Sequence, residues 1–193
     1  MNNFRRYSLL LIGVLLAAYL GSVQAVEFNR VQANKSTLTF GFKQMGVPMD
    51  GKFRQFAASI SFDPARLDAA HAQLDINLAS IDTGNQESDV EVMGKQWFNA
   101  GAFPAAQFVS TGVKALGGNR YEVRGKLTLK GRAQDVAAPF TFRQDGASGI
   151  FDGTFMLKRL DYAIGEGAWA DVSAVANEVQ IKFHVVADAV IKK

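Results

Sequence analysis

The sequence is dominated by hydrophobic residues that recur at every second position. Between Tyr121 and Lys130, apolar residues or glycine alternate with polar residues that include Glu122, Arg124 and Lys126. Successive side chains of a β-strand point to opposite faces, so this pattern is typical of an antiparallel strand with one buried face. The chain is therefore predicted to be all-β.

The same alternation recurs along the chain and predicts eight strands. Their core segments are 38–42, 56–62, 74–78, 107–115, 121–130, 138–142, 151–157 and 179–185. Several of these strands are separated by the turn-type sequences Gly117-Gly118-Asn119, Lys130-Gly131-Arg132, Gln144-Asp145-Gly146 and Met49-Asp50-Gly51. Eight strands joined by short turns favour an eight-stranded antiparallel up-and-down barrel with a small interior, and a two-sheet sandwich is the alternative.

One segment, residues 82–104, departs from the period of two. Ser88-Asp89-Val90-Glu91 matches the capping-box pattern, and Val90, Met93 and Trp97 follow at helical spacing. We expect one short helix here, between the third and fourth strands, with its apolar side covering an end of the barrel. The link 161–173 is predicted to be an irregular loop near the rim.

The first residues of the chain are predicted to be a secretory signal peptide. Arg5 and Arg6 precede an apolar run from Leu9 to Leu20, and Val23-Gln24-Ala25 supplies small residues at the spacing of a cleavage site. A membrane anchor is the alternative, but the run is shorter than the roughly 20 residues needed to span a bilayer. We expect residues 1–25 to be removed, leaving residues 26–193 as one domain in the periplasm.

Composition excludes several classes of function. The chain has no Cys and only 2 His, which excludes thiol nucleophiles, iron–sulfur clusters and cysteine zinc sites, and disfavours a His-rich metal centre. The signal peptide contains Arg5 and Arg6 and no acidic residue, so the remaining domain is nearly neutral and has no basic cluster for nucleic acid. We expect no catalytic residue, no metal and no cofactor other than a bound lipid or quinone.

The apolar faces of the predicted strands are rich in phenylalanine. The chain has 15 Phe and 4 Tyr, so a barrel built from these faces has a large apolar interior with few polar groups. Such an interior either packs into a solid core or encloses an apolar ligand, and eight strands allow both. The residue pattern does not choose between them.

Several longer motifs resemble the YceI-like family in order and spacing, over residues from about 27 to 188. They are Ser80-Ile81-Asp82-Thr83-Gly84-Asn85, Trp97-Phe98-Asn99, Phe103-Pro104-Ala105-Ala106-Gln107-Phe108, Gly125-Lys126-Leu127-Thr128-Leu129-Lys130-Gly131 and Leu157-Lys158-Arg159-Leu160-Asp161-Tyr162-Ala163-Ile164-Gly165. The resemblance implies a lipocalin-like periplasmic barrel that binds a polyisoprenoid, such as a quinone or a prenyl pyrophosphate. It also implies homodimers and, in some members, a membrane cytochrome of the b561 type as a partner.

The chain departs from this family at polar positions. Family members often carry His-Ser at Lys35-Ser36, His at Gln44, and Arg-Asp-x-His at Ser88-Asp89-Val90-Glu91. The resemblance, with these basic and imidazole groups replaced, implies a neutral quinone head in preference to a pyrophosphate.

The leading hypothesis is a periplasmic carrier for a long-chain isoprenoid lipid, without catalysis. The residues predicted to contact the ligand are Phe40, Phe42, Phe56, Phe62, Ile76, Leu78, Trp97, Phe98, Leu127, Leu129, Phe140, Phe142, Phe155, Trp169 and Phe183. Two alternatives stay open: an enzyme that uses the barrel as a reaction chamber with Asp82 or Asp89, and a stress-related interaction protein with a solid core.

Overall fold

The computed structural model describes residues 26–191, and the predicted signal peptide lies outside them. The described chain forms one α-helix, α1 (Gln86–Met93), and the following strands: β1 (Val26–Val31), β2 (Thr37–Gln44), β3 (Val47–Phe53), β4 (Phe56–Ser61), β5 (His71–Asn77), β6 (Ile81–Asp82), β7 (Ala105–Gly117), β8 (Arg120–Leu129), β9 (Arg132–Asp145), β10 (Ser148–Lys158) and β11 (Glu178–Ile191). Within this range, no helix has the length and hydropathy required to cross a membrane.

The strands form one antiparallel sheet that curls into a half-barrel. Its order is β4-β5-β7-β8-β9-β10-β11-β2-β3-β6, with β1 also paired to β11. Tight turns connect each strand to the next from β7 through β10. Strand β11 follows a longer segment and pairs with β2, near the start of the described chain. The all-β, lipocalin-like prediction is confirmed at this level.

The predicted strand count of eight is wrong, because the sheet formed by residues 26–191 has 11 strands. The sequence pattern misses β1, whose pairing register shifts between Phe28 and Arg30 and so breaks the period of two. It also misses β3, which contains Pro48 and Gly51 and was predicted to hold a turn at 49–51. The turn instead lies at Met45 and Gly46, both with positive φ, and β6 is only two residues long.

Helix α1 lies between β6 and β7, but its start differs from the prediction. Asn85 is the N-cap, and its side-chain oxygen accepts hydrogen bonds from the backbone N–H groups of Glu87 (2.8 Å) and Ser88 (3.2 Å). The predicted capping box at Ser88 is therefore wrong. Val90 is 62% exposed and does not face the barrel, whereas Trp97, beyond the end of the helix, is buried.

The core divides into two clusters along the strands. On β8, Tyr121 and Val123 belong to one cluster, and Leu127 and Leu129 belong to the other. The first cluster contains the floor of the half-barrel, a group of aromatic residues defined here as Phe28, Phe62, Tyr121, Phe140, Phe142 and Phe151. At the opposite end, the segment 159–177 between β10 and β11 forms what we call the cap.

Candidate ligand cavity

A cavity of about 760 Å³ lies inside the curled sheet, between the floor and the cap. This volume falls within the range of roughly 300–1,000 Å³ that is usual for ligand pockets. Strands β2 to β5 and β7 to β11 contribute mainly apolar side chains to its wall. The cavity contradicts the hypothesis of a solid core.

Most of the residues predicted to contact a ligand lie along this cavity. They are Phe40, Phe42, Phe56, Phe62, Ile76, Trp97, Phe98, Leu127, Leu129, Phe140, Phe155, Trp169 and Phe183. Contact of these side chains with a ligand stays a prediction.

Two of the predicted residues do not line the cavity. Leu78 is fully buried, because β5 ends at Asn77 and Leu78 starts a short 3-10 turn that packs into the core. Phe142 does face inward, but its ring packs in the floor, 5.1 Å from the ring of Phe28 and 4.9 Å from that of Phe62. Neither side chain is therefore available to a ligand in the cavity.

The prediction also missed lining residues. Phe53 lies on β3, the strand that the period of two did not reveal, and its ring is 5.4 Å from that of Phe40. Phe108 and Phe151 line the cavity from strands that were predicted correctly. Their inward position follows from the same alternation, so the sequence did contain the signal for both.

The floor is closed by rings in direct contact. Phe62 is central, with its ring 5.2 Å from Tyr121, 6.0 Å from Phe140 and 5.2 Å from Phe151. Reciprocal backbone hydrogen bonds of 2.9 and 3.1 Å fasten Phe62 to Phe28. Each aromatic pair contributes about 0.5–1.5 kcal/mol beyond its buried area, so the cluster makes a stable base for the cavity.

The cap is organised around Arg159, whose residue is only 2% exposed. All five guanidinium N–H groups have a backbone carbonyl within reach. The acceptors are Ala176 (3.1 Å), Ile164 (2.8 Å), Gly165 (3.2 Å), Trp169 (2.6 Å) and Val175 (2.7 Å). Burial lowers the pKa of Arg159, but arginine stays charged at neutral pH. Its donors are used by the cap, which leaves none for a ligand headgroup.

Other contacts fasten the cap to its surroundings. The Arg159 guanidinium carbon lies 5.4 Å from the centre of the Trp97 ring, and the Trp97 and Trp169 rings are 5.4 Å apart. The Lys130 ammonium donates to the Ala163 carbonyl (2.8 Å) and pairs with Glu166 (2.7 Å). The hydrogen bond from Lys130 lowers the pKa of the Glu166 carboxyl. The cap is thus attached to both the α1 segment and the β8–β9 turn.

The mouth of the cavity lies between α1 and the β2–β3 turn. Its exposed polar lining consists of Gln44, Asn85, Glu87, Ser88 and Glu91. Gln44, Ser88 and Glu91 therefore lie together at the mouth, and all three are positions where the chain departs from the YceI-like pattern. Lys35 is exposed and does not line the cavity.

The charge around the cavity disfavours an anionic headgroup. Glu87 and Glu91 place two carboxylates at the mouth, and Arg159 is the sole Lys or Arg among the described lining residues. Because Arg159 is occupied by carbonyls, no free cation faces the cavity within residues 26–191. Over the same range, no group of three or more His, Cys, Asp or Glu is arranged to hold a metal ion.

The two aspartates of the reaction-chamber hypothesis lie outside the cavity lining. Asp82 pairs with Arg54 (2.9 Å) and Lys52 (3.5 Å). A hydrogen bond from the Gly84 N–H and the pairing with Arg54 lower the pKa of Asp82, which is the opposite of what a general acid in an apolar chamber needs. Asp89 accepts hydrogen bonds from the Thr83 N–H and hydroxyl, both at 2.7 Å.

Comparisons with known proteins agree on the family and the fold. The family model described as the YceI-like domain matches residues 30–187. A UPF0312 protein of Azotobacter vinelandii is 28% identical over 88% of this chain and 91% of its own length. A UPF0312 protein of Pseudomonas fluorescens is 31% identical over 81% of this chain and 77% of its own.

Solved structures show the same architecture. The crystal structure of Burkholderia cenocepacia BcnA is 46% identical, with a TM-score of 0.80 over 81% of this chain and 99% of that one. A polyisoprenoid-binding domain from Saccharophagus degradans, implicated in plant cell wall breakdown, has 17% identity and a TM-score of 0.64, covering 86% of this chain and 99% of that one. At 17% identity, the similarity to the Saccharophagus degradans domain shows only that the two chains share a fold.

Proposed function

The chain belongs to the YceI-like family, and we propose that it is a binding and carrier protein for a long-chain isoprenoid lipid held in the cavity. The observation that carries the proposal is a cavity of about 760 Å³ with a mainly apolar wall above a floor of packed aromatic rings. Each buried methylene is worth roughly 0.8 kcal/mol, so a lipid tail binds such a wall without a charged anchor.

We further propose that the bound headgroup is neutral, as in an isoprenoid quinone. Two carboxylates stand at the mouth, and the one lining arginine has no N–H group left to donate. A pyrophosphate at this mouth would lose its hydration without gaining a cation, which is unfavourable. A quinone carbonyl needs only a polar neighbour, and Gln44, Asn85 and Ser88 supply amide and hydroxyl groups there.

The proposal includes a location and partners. The sequence of residues 1–25 supports export to the periplasm, and cell fractionation would test it. Family resemblance supports a homodimer and a membrane cytochrome of the b561 type that exchanges the quinone with the carrier. Light scattering and co-purification with solubilised membranes test these two partners separately.

Quinone uptake by the delipidated protein tests the central part of the proposal. The wild type is expected to take up ubiquinone, measured by extraction and mass spectrometry after the free lipid is removed. Leu127→Trp fills the cavity from a buried lining position and should lower uptake by at least about tenfold. Val109→Trp is the matched control, because Val109 is exposed on the neighbouring strand and does not line the cavity.

Circular dichroism and thermal unfolding establish that each variant is folded. If Leu127→Trp is unstable, Ile76→Phe on β5 replaces it as a smaller change to the same wall. Failure of the folded wild type to take up any quinone or polyprenol would contradict the carrier function. Equal uptake by wild type and Leu127→Trp would show that the ligand lies elsewhere.

A further inference from the structure

The wall of the half-barrel is interrupted between β2 and β4. Strand β2 pairs with β3 from Leu38 opposite Phe53 to Gln44 opposite Val47. The chain then crosses at Arg54 and Gln55 and continues as β4, whose strand partner is β5. Strands β2 and β4 therefore lie on opposite sides of a gap, and the β3–β4 link crosses one end of it.

The gap is bounded at both ends by backbone hydrogen bonds. At the crossing, the Arg54 N–H donates to the Ser80 carbonyl (3.0 Å), and the Asn77 N–H donates to the Gln55 carbonyl (3.1 Å). At the other end, Phe28 and Phe62 exchange the hydrogen bonds that fasten the floor. Between these points, no described strand pairs with the free edge of β4.

A second cavity, of about 900 Å³ and more open to solvent than the first, lies at this gap, and its outer lining includes Lys52, Arg54 and Asp75. It shares six lining residues with the main cavity: Thr37, Leu38, Thr39, Phe53, Phe56 and Ile76. A single layer of side chains therefore separates the two cavities, and most of that layer is apolar. Phe53 and Phe56 are only half-buried, so the layer is not packed like the floor.

We propose that this gap is a side window through which the tail of a long isoprenoid leaves the main cavity, so that the cavity is open at two places. This inference rests on the proposed function and adds to it the class of ligand, namely isoprenoids whose tail is longer than the main cavity. The window is closed by side chains alone, and rotation of Phe53 and Phe56 opens it without breaking a backbone hydrogen bond.

The main cavity is shorter than the extended tail of a long isoprenoid. It is lined from Val123 to Leu129 on β8, and at about 3.4 Å per residue this segment is roughly 20 Å long. The tail of a long isoprenoid quinone has dozens of C–C bonds of about 1.5 Å in series, and it exceeds this depth when extended. The tail must therefore fold back on itself or leave.

The window offers an exit for an apolar chain. The floor is packed with contacting rings, with the exposed His71 and Gln73 lining the cavity beside it, and the mouth carries the carboxylates Glu87 and Glu91. The side window has an apolar throat of Leu38, Phe53 and Phe56, continuous with the cavity wall. Because the throat continues the binding surface, a lipid tail is the occupant that it fits.

A matched pair of variants on β4 tests the window. Ala57 and Ser59 are both exposed on the outer face of the strand, but Ala57 lines the second cavity and Ser59 lines neither. The probes are ubiquinone with two isoprene units and ubiquinone with ten. Binding is followed by quenching of Trp97 and Trp169, which are the 2 tryptophans of the chain and both line the main cavity.

Ala57→Phe is expected to weaken binding of the long quinone by about tenfold or more, equal to the loss of roughly two buried methylenes. It should leave binding of the short quinone within about twofold of wild type, which also shows that the variant is folded. Ser59→Phe should bind both quinones as the wild type does.

Each outcome bears on one of the two proposals. If the wild type binds neither quinone, the proposed function is wrong, and the side window, which rests on it, is rejected as well. If the wild type binds both and Ala57→Phe also binds both unchanged, the function stands and the window is overturned. If Ala57→Phe abolishes a dimer and leaves long-quinone binding intact, the gap is an interface for a second copy and the inference is likewise overturned.

Discussion

The floor and the cap close the two ends of one cavity by different interactions. The floor consists of aromatic side chains from regular strands, and Phe62 touches several of them at once. The cap is a segment with little regular structure, and its carbonyl groups converge on the guanidinium of Arg159. Ring packing is spread over many contacts, whereas the hydrogen bonds inside the cap converge on one side chain.

This difference indicates which end of the molecule opens. Loosening the floor requires strands to separate, which costs most of the stability of the sheet. Loosening the cap requires the Arg159 hydrogen bonds, the Lys130 contacts and a few backbone hydrogen bonds to exchange with water, and the long strands of the sheet remain paired. We therefore expect the cap and the neighbouring mouth to be the mobile end, and the following predictions test that comparison.

Replacement of Phe62 by alanine should have the largest effect. A cavity at the centre of the floor is expected to lower the free energy of unfolding by about 3–5 kcal/mol, measured by urea denaturation. Phe62→Leu keeps most of the volume and should cost less than about 1.5 kcal/mol. A loss below about 1 kcal/mol for Phe62→Ala would show that the floor is not a closed, packed cluster.

Replacement of Arg159 by methionine should have a smaller and more local effect. It leaves five carbonyls without their donor, and we expect a loss of about 3 kcal/mol with new proteolytic cleavage between residues 163 and 175. Hydrogen exchange in the floor should stay slow. Arg124→Met removes an exposed pair with Glu122 and should cost less than about 1 kcal/mol. Wild-type protease resistance of Arg159→Met would contradict the role given to Arg159.

Alanine substitutions at two glycines separate the contact with Arg159 from the cost of backbone strain. A Cβ on Gly165 would lie 2.0 Å from the Arg159 Nη1 atom, and the residue has φ of +82°, whereas Gly118 has φ of +61° and open space around it. Gly165→Ala should cost about 2–3 kcal/mol by chemical denaturation, and Gly118→Ala about 1 kcal/mol from backbone strain alone. Equal losses would mean that the Gly165 region adapts without disturbing Arg159.

At neutral pH the smallest effect is expected at Tyr162, whose buried hydroxyl has no hydrogen-bond partner among the described residues. Burial raises the pKa of Tyr162 from 10.0 to about 12, so the unfolded chain loses this proton before the folded protein does. The wild type should therefore lose stability as pH rises from 10 to 12, and Tyr162→Phe should lose less. A difference between the two proteins that stays constant from pH 8 to 12 would contradict this assignment.

The parts of the structure that the sequence predicts are those set by the period of two. The inward rows of β2, β8 and β11 follow directly from alternating apolar residues, and with them follow Phe40, Leu127 and Phe183 on the cavity wall. Strand β3 was missed because its exposed turn end and its Pro and Gly residues obscure the alternation. A strand with little burial has no face that must be apolar, so its sequence shows only a weak alternation.

Other features depend on long-range placement, which local patterns do not encode. Lys158 and Arg159 are adjacent basic residues, yet Lys158 is exposed and Arg159 is buried. The difference arises from carbonyls 5 to 17 residues further along the chain. The side window likewise depends on where β3 leaves the β2 edge, and no single segment of sequence shows that.

Native mass spectrometry of the protein purified from the cells that make it is the most direct test of lipid binding. We expect one isoprenoid with a neutral headgroup per chain, present in wild type and Val109→Trp and absent from Leu127→Trp. Extraction of the same samples identifies the headgroup and the tail length. Folded wild-type protein that carries no isoprenoid, and that takes up no quinone when it is added, would contradict the claim.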